Sequence, residues 1–213
     1  MRLGFFGGAF DPLHIAHLRL AEEARVAAEL DMVYFLPTPA PPHKQEAAAS
    51  FSDRLAMVQL GLAGNPFFRV DTLELDRKGP SYTYDTLCAL QQRYPQAERY
   101  FIIGMDSYCD IGTWFRFQEL FSLTSFIVVQ RPGHGALEDT LDLLPACCRD
   151  TFVYSDGGGL EHLSGNKILF IQGAPMAIAS RDIRQLIAKE GSIRYLVPEA
   201  VEDYIAQKGL YRL

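Results

Sequence analysis

The chain has 213 residues with 48% hydrophobic and 22% charged residues, and 20 Lys plus Arg against 26 Asp plus Glu give a formal net charge of −6. This is the composition of one large globular domain and excludes extensive disorder. The acidic balance argues against a general nucleic-acid binder, and no apolar run approaches the roughly 20 residues that a membrane helix needs.

Leu3 to Phe6 is apolar and stopped by Gly7-Gly8, and reads as a buried strand. From Leu13 to Leu30 the residues Ile15, Leu18, Ala21, Ala24 and Ala28 recur at helical spacing. Met32 to Leu36 is a second strand, followed by a proline-rich loop over 38 to 50 and a helix from Asp53 to Ala63. Phe67 to Leu75 alternates in part and is expected to be an edge strand. Helices are expected over Tyr82 to Arg93 and Trp114 to Leu123, flanking a strand at Tyr100 to Ile103, with another strand at Phe126 to Val129. Residues 133 to 166 are poorly patterned, with a short helix expected at 137 to 144. A strand at Ile168 to Ile171 then precedes helices at Ser180 to Lys189 and Pro198 to Lys208. Short apolar strands alternating with helices predict an α/β fold, a doubly wound parallel sheet with helices on both faces. Ligands of such sheets bind beyond the carboxyl ends of the strands. The segments to inspect are therefore 7 to 17, 104 to 114 and 173 to 184.

The opening Met1-Arg2-Leu3-Gly4-Phe5 has no signal-peptide layout. Cys88, Cys109, Cys147 and Cys148 form no Cys-x-x-Cys pair, so reduced thiols in a cytoplasmic protein are expected.

In the first segment, Asp11 followed by Pro12 has the signature of an N-cap and first helical residue. That places His14 in the first turn and His17 on the same face. A helix N-terminus attracts anions, and two imidazoles there add donors for phosphate oxygens. The plain alternative is a tight turn with surface histidines; a metal site would lack a clear third ligand. No Gly-x-Gly-x-x-Gly and no P-loop is present. In the third segment, Ser180 is a suitable N-cap and Arg184 lies one turn further in; a hydroxyl, helix N–H groups and a guanidinium make a phosphate cradle. Taken alone, a capped surface helix explains that stretch as well.

Pro41-Pro42-His43-Lys44 sets a lysine in the long loop, and Ser81 to Leu87 opens a helix with free hydroxyls. Gly104 permits a flat base against the backbone. Asp106 suits ribose hydroxyls or a helix cap. Trp114, the only tryptophan, stacks on a ligand ring together with Phe115 or packs into the core.

The run Gly8-Ala9-Phe10-Asp11-Pro12-Leu13-His14-Ile15-Ala16-His17 resembles the signature of the nucleotidyltransferase superfamily with the His-x-Gly-His motif, with Ala16 where that motif has Gly. Ile178 to Arg184 resembles its second motif, Ile-Ser-Ser-Thr-x-Ile-Arg; Ser180 and Arg184 match, and Ala179 and Arg181 depart. The lysine loop, the Tyr82 to Leu87 stretch, Gly104-Met105-Asp106, Trp114 and the ending Tyr195 to Ile205 are similar to the bacterial branch that adenylylates nicotinate mononucleotide. The resemblance implies a Rossmann-like core over 1–175, with the C-terminal helices of 176–213 part of the same domain. It also implies adenylyl transfer from ATP to nicotinate mononucleotide with release of pyrophosphate. Mg2+ is expected on the ATP phosphates, with no metal held by protein side chains. His14, His17 and Arg184 are the implied catalytic residues. Gly8, Phe10, His17, Lys44, Gly104, Asp106, Ser180 and Arg184 are expected around ATP, and Ala9, Thr83, Trp114 and Phe115 around the mononucleotide, with Arg116 a candidate for an acceptor carboxylate. Other acceptors (nicotinamide mononucleotide or phosphopantetheine) and a non-catalytic nucleotide-binding domain are the competing readings.

Overall fold

The computed structural model describes residues 1–39, 47–75, 79–130, 140–155 and 158–212. The Pro41 to Lys44 stretch, with the predicted Lys44, lies outside them, as does most of the first half of the helix expected at 137 to 144.

The elements in chain order begin with β1 (Arg2–Gly8), α1 (Ile15–Ala27), β2 (Met32–Pro37), α2 (Phe51–Leu62) and β3 (Phe68–Val70). They continue with α3 (Thr83–Arg93), β4 (Glu98–Gly104), α4 (Met105–Cys109), α5 (Phe117–Leu123), β5 (Ser125–Gln130) and α6 (Ala146–Arg149). The last are β6 (Phe152–Tyr154), β7 (Leu160–His162), β8 (Lys167–Gln172), α7 (Ser180–Ala188) and α8 (Glu199–Lys208). The eight strands form one sheet in the order β3-β2-β1-β4-β5-β8-β7-β6. The six from β3 to β8 are parallel, and β7 and β6 add on as antiparallel neighbours. The expected parallel sheet thus carries an antiparallel edge. The connection reverses at β1, which lies between β2 and β4, and this is the switch point where a binding crevice forms.

The continuous apolar runs of the inner strands follow from burial on both faces. Leu3, Phe5, Phe101, Ile103, Phe126 and Val128 point to one core, packed under α3, α4 and α5. Phe6, Tyr100, Ile102, Ile127 and Val129 point to the other, under α1 and α2. The period of two along each strand puts neighbours on opposite faces. Gly4 belongs to this arrangement, since a Cβ there would stand 2.6 Å from the Leu30 side chain. A third cluster, including Met57, Ile183, Val197, Val201 and Ile205, ties α7 and α8 to α2.

Several sequence expectations need correction. Helix α1 does not start at Asp11-Pro12: His14 is the N-cap and Ile15 the first helical residue. The Asp11 carboxylate cannot cap because Ala48 N–H, Ala49 N–H and the Tyr211 hydroxyl already occupy it. Ala179, not Ser180, caps α7. The edge strand ends at Val70, where Asp71 folds back to accept the Leu73 N–H. The helix expected from Trp114 begins only at Phe117, after a 3-10 turn at Ile111–Thr113 and a left-handed Arg116 at φ 54°. Residues 140 to 144 form turns, and the unpatterned region supplies α6, β6 and β7.

Candidate active site

A cleft of about 960 Å3 opens at the carboxyl ends of β1, β4 and β8, and all three segments singled out in the sequence line it. Gly8, Ala9, Phe10, His14 and His17 come from the first, Gly104 and Asp106 from the second, and Ser180, Arg181 and Arg184 from the third. A second cavity of about 750 Å3 lies between the end of α7 and α8 and contains none of the predicted site residues.

The two histidines are fixed against each other. Their rings stack with centroids 3.6 Å apart and an interplanar angle of 20°. Two backbone groups of His14 hold the pair: His17 Nδ1 accepts the His14 N–H at 3.3 Å, and the His14 carbonyl accepts the His17 N–H at 3.0 Å. A ring nitrogen that accepts is unprotonated, so the neutral His17 ring carries its proton on Nε2. Phe10 supports that ring edge-on at 5.1 Å, from a left-handed backbone at φ 48°. Strain of this kind persists only where surrounding structure enforces it. The first helical N–H, that of Ile15, is taken by Leu196 O at 2.9 Å, so the helix N-terminus does not keep all of its donors for an anion.

The second motif clamps the first. Ser180 Oγ donates to Pro12 O at 3.0 Å, and Arg184 Nη1 donates to Asp11 O at 2.7 Å. In this arrangement the Ser180 hydroxyl proton is committed to the loop, which the sequence reading assigned to a phosphate. From the other side Arg54, on α2, donates to Ala9 O at 2.6 Å and to Thr38 O at 3.0 Å. Burial lowers the pKa of Arg54, an effect opposed by the Asp11 carboxylate and Tyr211. Sequence reasoning missed both Arg54 and Tyr211. A readable sign existed for Arg54: it falls on the buried stripe of α2 with Met57, Val58 and Leu62, where a guanidinium needs specific acceptors.

Gly104 borders the cleft with open space where a Cβ would stand. Asp106 lies in the first turn of α4 beside it. On the rim, both Glu23 carboxylate oxygens accept the Ala174 N–H, at 3.0 and 3.1 Å, and Arg19 holds Glu23 at 2.7 Å.

Thr83, Trp114 and Phe115 do not line this cleft. Thr83 opens α3, Trp114 packs half-buried against the core, and the exposed Phe115 ring lies 4.8 Å from that of Tyr82. Arg116 is paired with Glu119 and lies 3.9 Å over the Tyr84 ring. The structure therefore separates an aromatic group at the packed ends of α3 and α5 from the cleft holding the two motifs.

Fold and cleft together are those of a cytidylyltransferase-like nucleotidyltransferase, and the family model described as "Cytidylyltransferase-like" matches residues 5–186. A protein of Trichlorobacter lovleyi named "Probable nicotinate-nucleotide adenylyltransferase" is 48% identical over 213 residues, covering 100% of both chains. A protein of Geobacter sulfurreducens with the same name is 45% identical over 99% of this chain and 98% of its own. The chain belongs to the nicotinate-nucleotide adenylyltransferase family. In fold it is also similar to a Plasmodium falciparum nicotinic acid mononucleotide adenylyltransferase complexed with NaAD, with a TM-score of 0.77 and 21% identity over 99% of this chain and 97% of that one. No helix among the described residues is long and apolar enough to cross a membrane.

Proposed function

We propose that this chain transfers the adenylyl group of ATP to nicotinate mononucleotide, forming nicotinate adenine dinucleotide and pyrophosphate. The observation that carries the reading is the single cleft at the switch point lined by both histidines, Gly104, Asp106 and Arg184. A phosphate oxygen of the mononucleotide attacks the α-phosphorus of ATP, a bond forms there, and the bond to the β-phosphate oxygen breaks. The nucleophile is already anionic, so no side chain needs to accept a proton. The protein's task is positioning and neutralising charge. His17 Nε2–H and His14 serve the phosphates as the α-phosphorus becomes five-coordinate. Arg184, with Lys44, holds the departing pyrophosphate, Gly104 faces the adenine and Asp106 takes the ribose. Ala9 inside the cleft, and Thr83, Trp114 and Phe115 outside it, bound the mononucleotide.

Mg2+ enters with ATP. No group of three or more His, Cys, Asp or Glu side chains suited to a metal exists among the described residues. Working in the cytoplasm is in keeping with four free cysteines.

The decisive experiment measures pyrophosphate release from ATP with nicotinate mononucleotide, nicotinamide mononucleotide and phosphopantetheine in parallel. Release with the first is expected; release with none would leave a nucleotide-binding domain without catalysis. Two variants test the subsites. Gly104→Val fills the open space and is expected to raise KM for ATP about tenfold or more, because displacement by 1 Å at a reacting centre is costly; an unchanged KM removes the base from Gly104. Trp114→Ala is expected to raise KM for the mononucleotide and leave that for ATP alone, whereas equal effects would assign Trp114 to packing.

A further inference from the structure

Arg184 stands between two anions. One is the triphosphate of the proposed reaction. The other is the protein's own Asp11 carboxylate, whose Oδ2 is 3.8 Å from Arg184 Nη1. That separation is within strong Coulomb range but beyond a hydrogen bond. Nη1 donates instead to the Asp11 carbonyl, and the side chain, 31% exposed, keeps room to move.

The carboxylate is held away by other donors. Its Oδ2 accepts the Ala48 N–H at 2.7 Å, and its Oδ1 accepts the Ala49 N–H at 3.2 Å and the Tyr211 hydroxyl at 2.7 Å. Asp11 is 5% exposed, so a lost donor there is not readily replaced by bulk water. Tyr211 reaches it from beyond the end of α8, with a left-handed backbone at φ 64°, a conformation that aromatic residues seldom take. Burial, followed by the Asp11 carboxylate, pushes the Tyr211 phenol far above its usual range, so it remains a donor throughout the neutral range.

We propose that Tyr211 is a positioning residue for adenylyl transfer: by holding Asp11 Oδ1, its hydroxyl fixes the carboxylate in the orientation that keeps Oδ2 on the Ala48 N–H and out of hydrogen-bond distance of Arg184, which leaves the guanidinium available to the triphosphate. The inference rests on Arg184 meeting ATP phosphates in the proposed reaction. Without the hydroxyl, the buried carboxylate lacks its shortest donor to Oδ1; of the two cations that feel its charge, Arg54 is committed to Ala9 O and Thr38 O, and the part-exposed Arg184 is the one with room to turn toward it. A charge-assisted pair between them withdraws a charged donor from the substrate.

The test is a double-mutant cycle in steady-state kinetics, with folding checked by circular dichroism at the assay temperature. Tyr211→Phe is expected to lower kcat/KM for ATP on the order of tenfold, with KM for nicotinate mononucleotide unchanged. In an Arg184→Ala background the same substitution is expected to have no further effect. A tyrosine that only braced the chain end would lower activity equally in both backgrounds. Tyr211→Leu, which also lacks the hydroxyl, is read on the same cycle if Tyr211→Phe is unfolded. Wild-type activity in the folded variant, or equal losses with and without Arg184, overturns the proposal, and so does failure of both variants to fold. A wild-type chain inactive with ATP and nicotinate mononucleotide removes the proposed function and this inference together; an active one with an unaltered Tyr211→Phe removes only the inference.

Discussion

Replacing His17 by Ala is expected to lower kcat by roughly 10²–10³ while the chain stays folded, the cost of losing one oriented donor to developing charge. The geometry makes the expectation specific. His17 Nδ1 is engaged by the His14 N–H, so the proposed reaction assigns Nε2–H to a phosphate oxygen. The ring is fixed by His14 on one side and Phe10 on another, so little reorganisation is needed at the moment of reaction. Single-turnover measurement of pyrophosphate release separates this effect from slow product release. A fall below tenfold would mean that the imidazole does not face the transition state, and His17→Gln, which retains a donor at similar reach, should recover part of the rate.

Arg54→Ala has the largest expected effect on stability. Arg54 is 1% exposed, and its guanidinium holds Ala9 O and Thr38 O at 2.6 and 3.0 Å. Each buried acceptor stripped of a partner costs about 1–3 kcal/mol, and the vacated volume adds to that, giving about 3–5 kcal/mol in all. At about 2–4 °C per kcal/mol for a chain of this size, Tm should fall on the order of 10 °C in a thermal melt. Arg54→Met restores bulk but no donors and should recover only part of the loss. A melt of Arg54→Met coinciding with wild type would show that these bonds add nothing net to stability.

The inner strands were legible because strands covered on both sides read as unbroken apolar runs, as Leu3 to Phe6 and Phe126 to Val129 do. Strands β6 and β7 were not, since three residues are too few to establish a period. The three cleft segments could be located because the binding end of a parallel sheet follows from strand direction. Asp11 was misread for a local reason. Asp-Pro is a good helix start, but the donors that claimed its carboxylate lie 37, 38 and 200 positions away, beyond any window of sequence pattern. Ser180 failed likewise, its hydroxyl drawn to Pro12 O across 168 positions. The separation of Thr83, Trp114 and Phe115 from the cleft depends on the packing of α3 against α5, and no spacing along the chain encodes that.

The distance in sequence between the partners of this clamp has a consequence in time. The loop after β1 is made long before Ser180, Arg184, Leu196 and Tyr211, which complete the hydrogen bonds of this loop and of the start of α1. At about 5–20 residues per second, synthesis of this chain occupies about 10–40 s. A ribosome-bound fragment with most of its sheet already paired therefore lacks the second half of the clamp.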